Sequence, residues 1–367
     1  MFGAIQVQSP AVVCALRDDG TPEEDAVANP AATARLRETS SEPSVLVLAD
    51  HDDAGVSRLV ASLAARLEVI WWRFGLPEDS ISVDVDGDGF RLEQPGASVC
   101  SFDLRRAPVI IYRRRLLHPR SLVSSELPSL ENRGFSEREW TSLIDGLLLA
   151  EERHSHSTWL NSPSATLLTN NKLSLLLFAA GAGLPVPPFS VSTPVRFPPT
   201  SRPSLVTKAI SSDERIDATR YFSTARLSEE DFKSLPGARI PTPTLLQEYV
   251  PASVELRVFY ALGEFLTLAL TPSGEHVDIR HAPRAKLSPR PHDLSPELRK
   301  VLGDLASSFD LGYCTFDLAV PEDGPAALLD ITPNGDWDYF ESDAAPVVTE
   351  FLTERIVSRQ SGAAGEH

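Results

Sequence analysis

The chain is poor in cysteine: Cys14, Cys100 and Cys314 are the only three among 367 residues. They are odd in number, widely spaced and free of any Cys-x-x-Cys pair, so neither a disulfide framework nor a zinc site is indicated, and a reducing cytoplasm fits best. No apolar run reaches the ~18 residues needed to span a bilayer. The N-terminus lacks the basic start, apolar segment and cleavage site of a signal peptide. Internal repeats are absent. Positive charge is in deficit, with 34 Lys and Arg against 51 Asp and Glu for a net charge of −17. That balance argues against general nucleic-acid or membrane-surface binding, because both need a basic face. It leaves room for an anionic ligand held by local Lys and Arg.

What is present is an ordinary globular composition, 42 % hydrophobic and 23 % charged, on a chain long enough for two or three packed domains. Residues 1–43 mix Ala, Pro, acidic residues, Ser and Thr with little periodicity. They read as a disordered N-terminal extension, or as a start codon assigned too far upstream. From Ser44, "SVLVLADHDDAGVSRLVASLAARLEVIWWRF" reads as a βαβ opening, with Asp50, His51 and Asp52 as helix-capping residues rather than a metal site. "ISVDVDGDGFRLE" is a hairpin with a DG turn, too short for a calcium loop. "APVIIYRRRLLHP" is a strand running into Arg113, Arg114 and Arg115, either ligand contacts at a strand's C-terminal end or a solvated charge run.

"SEREWTSLIDGLLLAEE" has a Ser-x-x-Glu capping box at Ser136 and helical period. "LNSPSATLLTNNKLSLLLFAAGAGLPVPPFSVS" reads as a loop, a helix stopped by Gly183 and an entering strand. "PSLVTKAI" is a short strand carrying Lys208, and two long antiparallel strands follow "TLLQEYV". After the helix "SPELRKVLGDLASSFDL", the stretch "TFDLAVPEDGPAALLDITPNGDWDYFE" closes the sheet as a hairpin.

Singly, the candidate residues are weak. Lys172 opens a helix, where a Lys is ordinarily solvated. Lys208 lies in phase with Val206 and Ile210, a costly place for a charge without an anion. Gln247 and Glu248 end a strand and can hydrogen-bond an adenine edge through side chain and main chain. Glu255 and Arg257 face the same way on the next strand. Asp317 and Asp330 sit at the same phase of two paired strands, which suits a solvated hairpin face or a metal clamp. Two lysines and two arginines, Arg257 and Arg280, would offset a triphosphate, and two carboxylates would hold the Mg²⁺ that bridges it.

The order helix-start Lys, strand Lys, Gln-Glu-Tyr-Val, Glu-x-Arg, Arg, Asp, then an acidic residue before Pro-Asn-Gly resembles the ATP-grasp superfamily over roughly residues 155–356. A narrower likeness lies in "WLNSP", "NNKLSLLLFAAGAGLPVP", "TPNGDW" and the upstream "IIYRRR". These resemble the microviridin-type ribosomal peptide maturases, the graspetide synthetases, which join Glu or Asp side chains of a precursor peptide to Ser, Thr or Lys side chains. The glutamate ligase that extends a ribosomal protein's tail is a more distant relative.

The resemblance implies an α+β and α/β chain: an N-terminal α/β pre-ATP-grasp domain over 44–150, and an ATP-grasp domain over 151–356 whose two α+β lobes clasp ATP and divide near 250. Residues 357–367 are expected to be a flexible tail. It implies phosphate contacts from Lys172 and Lys208, and an adenine hinge of Gln247, Glu248, Tyr249 and Val250, with Glu255 on the ribose. Arg257 and Arg280, with Lys208, would face the transferred phosphate. Asp317, Asp330 and Asn334 would bind Mg²⁺, two ions in all, and Arg113, Arg114 and Arg284 would guide an acidic substrate segment. The implied partner is a precursor peptide with a leader and an acidic core, and a homodimer is suggested.

The sequence departs from the family at three places. Asp330 stands where Glu is normal, and Thr332 stands where the next ligand is Asn, leaving that role to Asn334 or water. Asp336 stands where Gln is common. No general base is identified; Asp336, Asp338 and Glu341 are candidates by location only. Two other readings stay open: an ATP-grasp ligase making an intermolecular amide, and a degenerate domain that binds nucleotide or a leader peptide without turnover.

Overall fold

The computed structural model describes residues 3–6, 44–50, 53–74, 84–85, 90–91, 107–113, 130–154, 156–192, 204–211, 224–227, 243–272, 289–340 and 344–363. The chain divides into two units, Met1–Ser164 with Pro346–His367, and Ala165–Ala345.

In the first unit the buried apolar run Val45–Ala49 belongs to a strand, β2 (Val45–Asp50). It pairs in parallel with β3 (Val69–Phe74) on one side and β6 (Val109–Arg113) on the other, and β7 (Thr158–Leu160) pairs in parallel with β6. A strand buried on both faces reads as continuous apolar sequence, which is why these segments lack alternation. Within the extension expected to be disordered, β1 (Gly3–Gln6) pairs antiparallel with β3, giving the order β1-β3-β2-β6-β7. The hairpin is present as two two-residue strands, β4 (Asp84–Val85) and β5 (Phe90–Arg91).

Helix α1 (Ala54–Ala64) connects β2 to β3 and buries Val56, Leu59, Val60 and Leu63, the i, i+3, i+4, i+7 stripe of an amphipathic helix. Its cap is Asp53, which accepts from the Val56 amide at 2.9 Å, rather than the three polar residues before it. His51 and Asp52 lie outside the described residues. Helix α2 (Leu130–His154) starts six residues before Ser136, so the Ser-x-x-Glu pattern lies inside the helix rather than at its start. The expected loop after it holds β7 and a short helix, α3 (Pro163–Thr169), opened by a proline at its first position.

The second unit contains two sheets. Strands β8 (Phe189–Ser192), β9 (Leu205–Lys208), β10 (Ala225–Leu227) and β11 (Thr244–Glu248) form an antiparallel sheet in the order β10-β9-β11-β8. Strands β12 (Val254–Ala261), β13 (Glu264–Leu270), β14 (Arg290–Pro291), β15 (Tyr313–Val320) and β16 (Ala327–Thr332) form the other, ordered β14-β13-β12-β15-β16. Helix α4 (Lys172–Gly181) stops as expected: Gly183 takes φ +83°, and the Leu184 amide reaches back to the Ala179 carbonyl at 3.1 Å. Helix α5 (Pro296–Ser308) is capped by Ser295.

One face of the larger sheet, with Leu256, Val258, Tyr260, Phe316, Leu318, Leu328 and Ile331, joins Leu175, Leu302, Leu305 and Phe309 in a single apolar core. The period-2 alternation then assigns Glu255, Arg257, Thr315 and Asp317 to the opposite face. The free thiol of Cys314 is buried in this core, and burial pushes its pKa well up, so it is an inert core residue.

The boundary therefore falls at Ser164/Ala165 rather than 150/151, because β7 extends the first sheet. The expected tail is helical through residue 363, in α6 (Ala344–Ala363). From Pro346 on it belongs to the first unit, where Thr353 Oγ1 bonds Ser62 Oγ at 3.0 Å and Arg66 pairs with Glu350 at 2.5 Å. No helix among the described residues is long and apolar enough to cross a membrane.

Candidate active site

The register of the larger sheet builds most of the site. Arg257 on β12 lies opposite Asp317 on β15, and Asp317 lies opposite Asp330 on β16. Two carboxylates directly opposite one another repel unless each has its own cation. Arg257 supplies one: its Nη1 donates to both Asp317 oxygens, at 2.7 and 2.6 Å. Lys172 supplies the other, with Nζ 3.0 Å from Asp330 Oδ2.

Lys172 reaches the sheet because the start of α4 is fastened to the end of β9. Its amide donates to the Ile210 carbonyl at 2.8 Å, and Asn171 bridges to Ser211 while capping the helix through the Ser174 amide. The same attachment brings in Lys208, whose Nζ donates to the Leu329 carbonyl at 2.9 Å. That carbonyl is available because Leu329 is the extra residue of a β-bulge: Asp317 opposes Asp330, but Leu318 opposes Leu328. The bulge also lets Leu328 stay in the core while Asp330 joins Asp317 on the other face.

The charges are disposed unevenly. The Lys172 and Arg257 side chains are 9 % exposed, whereas those of Asp330 and Asp317 are 19 % and 29 % exposed. Burial alone would raise the Asp330 carboxyl, but Lys172 and Lys208 outweigh it, and the group is held below the ordinary carboxylate range. Its other oxygen, Oδ1, accepts from its own Ile331 amide at 2.9 Å.

The "TPNGDW" turn is fitted underneath Arg257. Arg257 Nη2 donates to the Asp336 carbonyl at 3.2 Å, and the Tyr313 hydroxyl donates to the Gly335 carbonyl at 2.6 Å. Trp337 is buried edge-on against Tyr313. Gly335 is required for space: a Cβ there would lie 2.2 Å from the buried Thr315 Oγ1. Asn334 is half-buried in this turn, two residues beyond Thr332. The Asp336 carboxylate accepts from the Asp338 amide at 3.2 Å, so one of its oxygens serves the turn.

On the smaller sheet, β11 runs beside β9 and ends at the expected hinge. The Glu248 amide is spent on the Pro188 carbonyl at 2.9 Å and the Tyr249 amide on the Ser204 carbonyl at 3.1 Å. Arg226 stacks 4.7 Å from the Tyr249 ring centroid while its Nε bonds Ser204 Oγ at 2.8 Å. Gln247 is fully buried, and neither its Oε1 nor its Nε2 has a hydrogen-bond partner among the described residues. An orphaned buried amide is costly, so this position calls for a polar group that the described residues do not supply.

Of the expected site residues, Lys172, Lys208, Arg257, Asp317 and Asp330 come together. Gln247, Glu248, Tyr249 and Val250 lie at the end of β11 that faces Val206 and Leu205, while Lys208 is opposite Leu245. Glu255 lies on the same β12 face as Arg257. Arg113 is not where a substrate contact needs it. Its guanidinium is sealed in the first unit, with Nε 2.7 Å from Asp53 Oδ2 and the two side chains 5 % and 0 % exposed. A buried carboxylate requires such a partner, and that requirement takes the arginine away from the surface. Arg114, Arg280, Arg284 and Glu341 lie outside the described residues.

Sequence reasoning missed Asp53, Tyr313 and Thr315. Asp53 carried a usable signal, an Asp directly before the first apolar helical residues. The other two are ordinary strand residues in sequence and carry no such signal. Among the described residues no cluster of three or more His, Cys, Asp or Glu could hold a metal alone. Two carboxylates completed by phosphate oxygens and an amide oxygen would be the donor set, which suits Mg²⁺.

No protein-family model matches this chain, and no curated protein matches it by sequence. Solved structures do. The macrocyclase MdnC from Microcystis aeruginosa MRC, bound with its precursor peptide MdnA, is 20 % identical with a TM-score of 0.68, over 86 % of this chain and 99 % of that one. A RiPP-associated ATP-grasp ligase from Chryseobacterium gregarium, in complex with ADP and a leader and core peptide, is 14 % identical with a TM-score of 0.64, over 86 % and 96 %. The ATP-grasp ligase PsnB, complexed with minimal precursor, Mg and ADP, is 19 % identical with a TM-score of 0.62, over 87 % and 98 %. At these identities the likeness is one of architecture: this chain has the ATP-grasp fold.

Proposed function

We propose that this chain is an ATP-dependent ligase that activates Glu or Asp side chains of a ribosomally made precursor peptide and closes ω-ester or ω-amide rings. The observation that carries the reading is the convergence of two lysines and an arginine around two partly exposed carboxylates in one cross-strand row. A solvated hairpin face needs no buried cations, and a structural ion pair needs no third one. Bound ADP, Mg and peptide in solved structures of the same fold support the choice of ligands.

In this reading the Gln247 amide and the Glu248 to Val250 main chain hold adenine, and Glu255 holds the ribose. Lys172 and Lys208 take the phosphates. Asp317 and Asp330, with Asn334, would hold Mg²⁺, and the metal would supply charge neutralisation to the phosphates. The substrate carboxylate attacks the γ-phosphorus, ADP leaves as its bond to that phosphorus breaks, and the carboxylate becomes an acyl phosphate, with Lys208, Arg257 and Arg280 stabilising the charge on the in-line transition state. A hydroxyl or amine of the same peptide then displaces phosphate from the acyl phosphate, helped by tethering. Arg114 and Arg284 guide the acidic core, a leader provides the remaining affinity, and the protein works in the cytoplasm as a homodimer.

The test is incubation with ATP, Mg²⁺ and the peptide encoded beside the gene, read by mass spectrometry. One water is lost per ring. A mass gain identifies an intermolecular ligase instead, and ADP release with unchanged peptide sinks the macrocyclase reading.

A further inference from the structure

Lys172, assigned to phosphate, already has an anionic partner, and that partner, Asp330, is a group assigned to metal. Lys172 Nζ is 3.0 Å from Asp330 Oδ2. Lys208 is 2.9 Å from the Leu329 carbonyl and acts electrostatically on Asp330 as well. A nucleotide and a divalent cation would therefore attack the same ion pair from opposite sides. Metal-free nucleotide has to draw Lys172 away from Asp330 and leave a mostly buried carboxylate undercompensated. A cation alone has to bind a carboxylate that is already neutralised, beside a buried ammonium. When both arrive together the exchange balances, since Lys172 trades carboxylate for phosphate and Asp330 trades ammonium for metal.

Asp330 Oδ1 already accepts from the Ile331 amide at 2.9 Å and Oδ2 is the oxygen that Lys172 holds, so neither oxygen is uncommitted when a metal arrives. We propose that the Lys172–Asp330 pair is a charge latch that makes the site select the metal–nucleotide complex and resist either component alone. This rests on the nucleotide reading and adds to it a selection rule set by this chain's short Asp330.

The experiment is calorimetric titration of ADP in EDTA and in Mg²⁺, with Mn²⁺ binding in the absence of nucleotide followed by electron paramagnetic resonance. In the unaltered protein Mg²⁺ strengthens ADP binding by about a hundredfold. In Asp330→Asn the lysines lose their competing anion, so ADP in EDTA binds about tenfold tighter while the Mg²⁺ enhancement collapses. In Lys172→Met the carboxylate is released, so Mn²⁺ alone binds about tenfold tighter. Melting curves establish that each variant is folded, and the two variants decide independently if one is not. Weaker or unchanged ADP binding in EDTA for Asp330→Asn, or unchanged Mn²⁺ binding for Lys172→Met, overturns the latch. Absence of any Mg²⁺–ADP binding by the unaltered protein is a different result, which defeats the nucleotide reading and the latch with it.

Discussion

Among the described residues, each unit holds a buried arginine–carboxylate contact, and the two are of different kinds. In the first unit Arg113 and Asp53 are 2.7 Å apart with both side chains sealed, and Asp53 also caps α1. In the second, Arg257 and Asp317 are as close at 2.6 Å, but the cation is buried and the carboxylate is 29 % exposed. The distances are nearly equal and the chemistry is not. A pair closed on both sides has no unmet valence and serves the fold. A pair with its carboxylate open to one side can exchange partners, and its neighbours Lys172, Lys208 and Asp330 repeat that asymmetry. Mutual burial, rather than the presence of charge, separates a sealed pair from one that is open to a further partner.

The largest break in this comparison should come from Arg113→Met. Removing one partner of a sealed pair leaves Asp53 buried and uncompensated, so denaturant unfolding should show a loss of about 3–5 kcal/mol. Arg113→Met, Asp53→Asn together should recover part of it. A loss within a few tenths of a kcal/mol would mean that the pair is open after all.

Gly335→Ala tests the turn beneath Arg257. The added Cβ meets Thr315 Oγ1, Cγ2 and Cβ at 2.2, 2.3 and 2.7 Å. Thr315 is fully buried and cannot step aside. Overpacking should cost about 1–3 kcal/mol by melting or denaturant titration, and Thr315→Ala in the same chain should relieve it. Equal stability of the single and double variants would remove steric fit as the reason for glycine.

The smallest expected effect is the pH dependence of the open pair. The Asp330 pKa is lowered in the folded protein, so its stabilising contribution is present in full above the ordinary value of about 3.9 and is lost as pH falls through the lowered value. The difference in melting temperature between the unaltered protein and Asp330→Asn should be flat from neutral pH to the ordinary Asp value and shrink below it. A difference that shrinks on the alkaline side would contradict that sign.

Much of this was legible in local sequence. The alternation of "VELRVFYA" and "YCTFDLAV" separates a core face from a polar face without reference to any other residue. Gly183 after an apolar helix marks its stop, and Asn171 before Lys172 marks its start. The errors were also local in origin. A Ser-x-x-Glu pattern cannot tell the start of a helix from its interior when helix formers precede it, as at Ser136. Three consecutive arginines look alike in sequence, yet Arg113 is withdrawn by a partner on another loop.

By itself the sequence determined the periodic faces, the glycine stop and the order of the charged residues, because each depends on neighbours within a turn or a strand. Only the tertiary structure decided which charge meets which. Lys208 finds the Leu329 carbonyl 121 residues away, and it does so through a bulge that simple alternation does not foresee. The fastening of α4 to the end of β9 brings Lys172 to Asp330. Periodicity is a property of the backbone alone, whereas register, bulges and ion pairing are settled when separate segments bury one another's surfaces and every buried charge must find its partner.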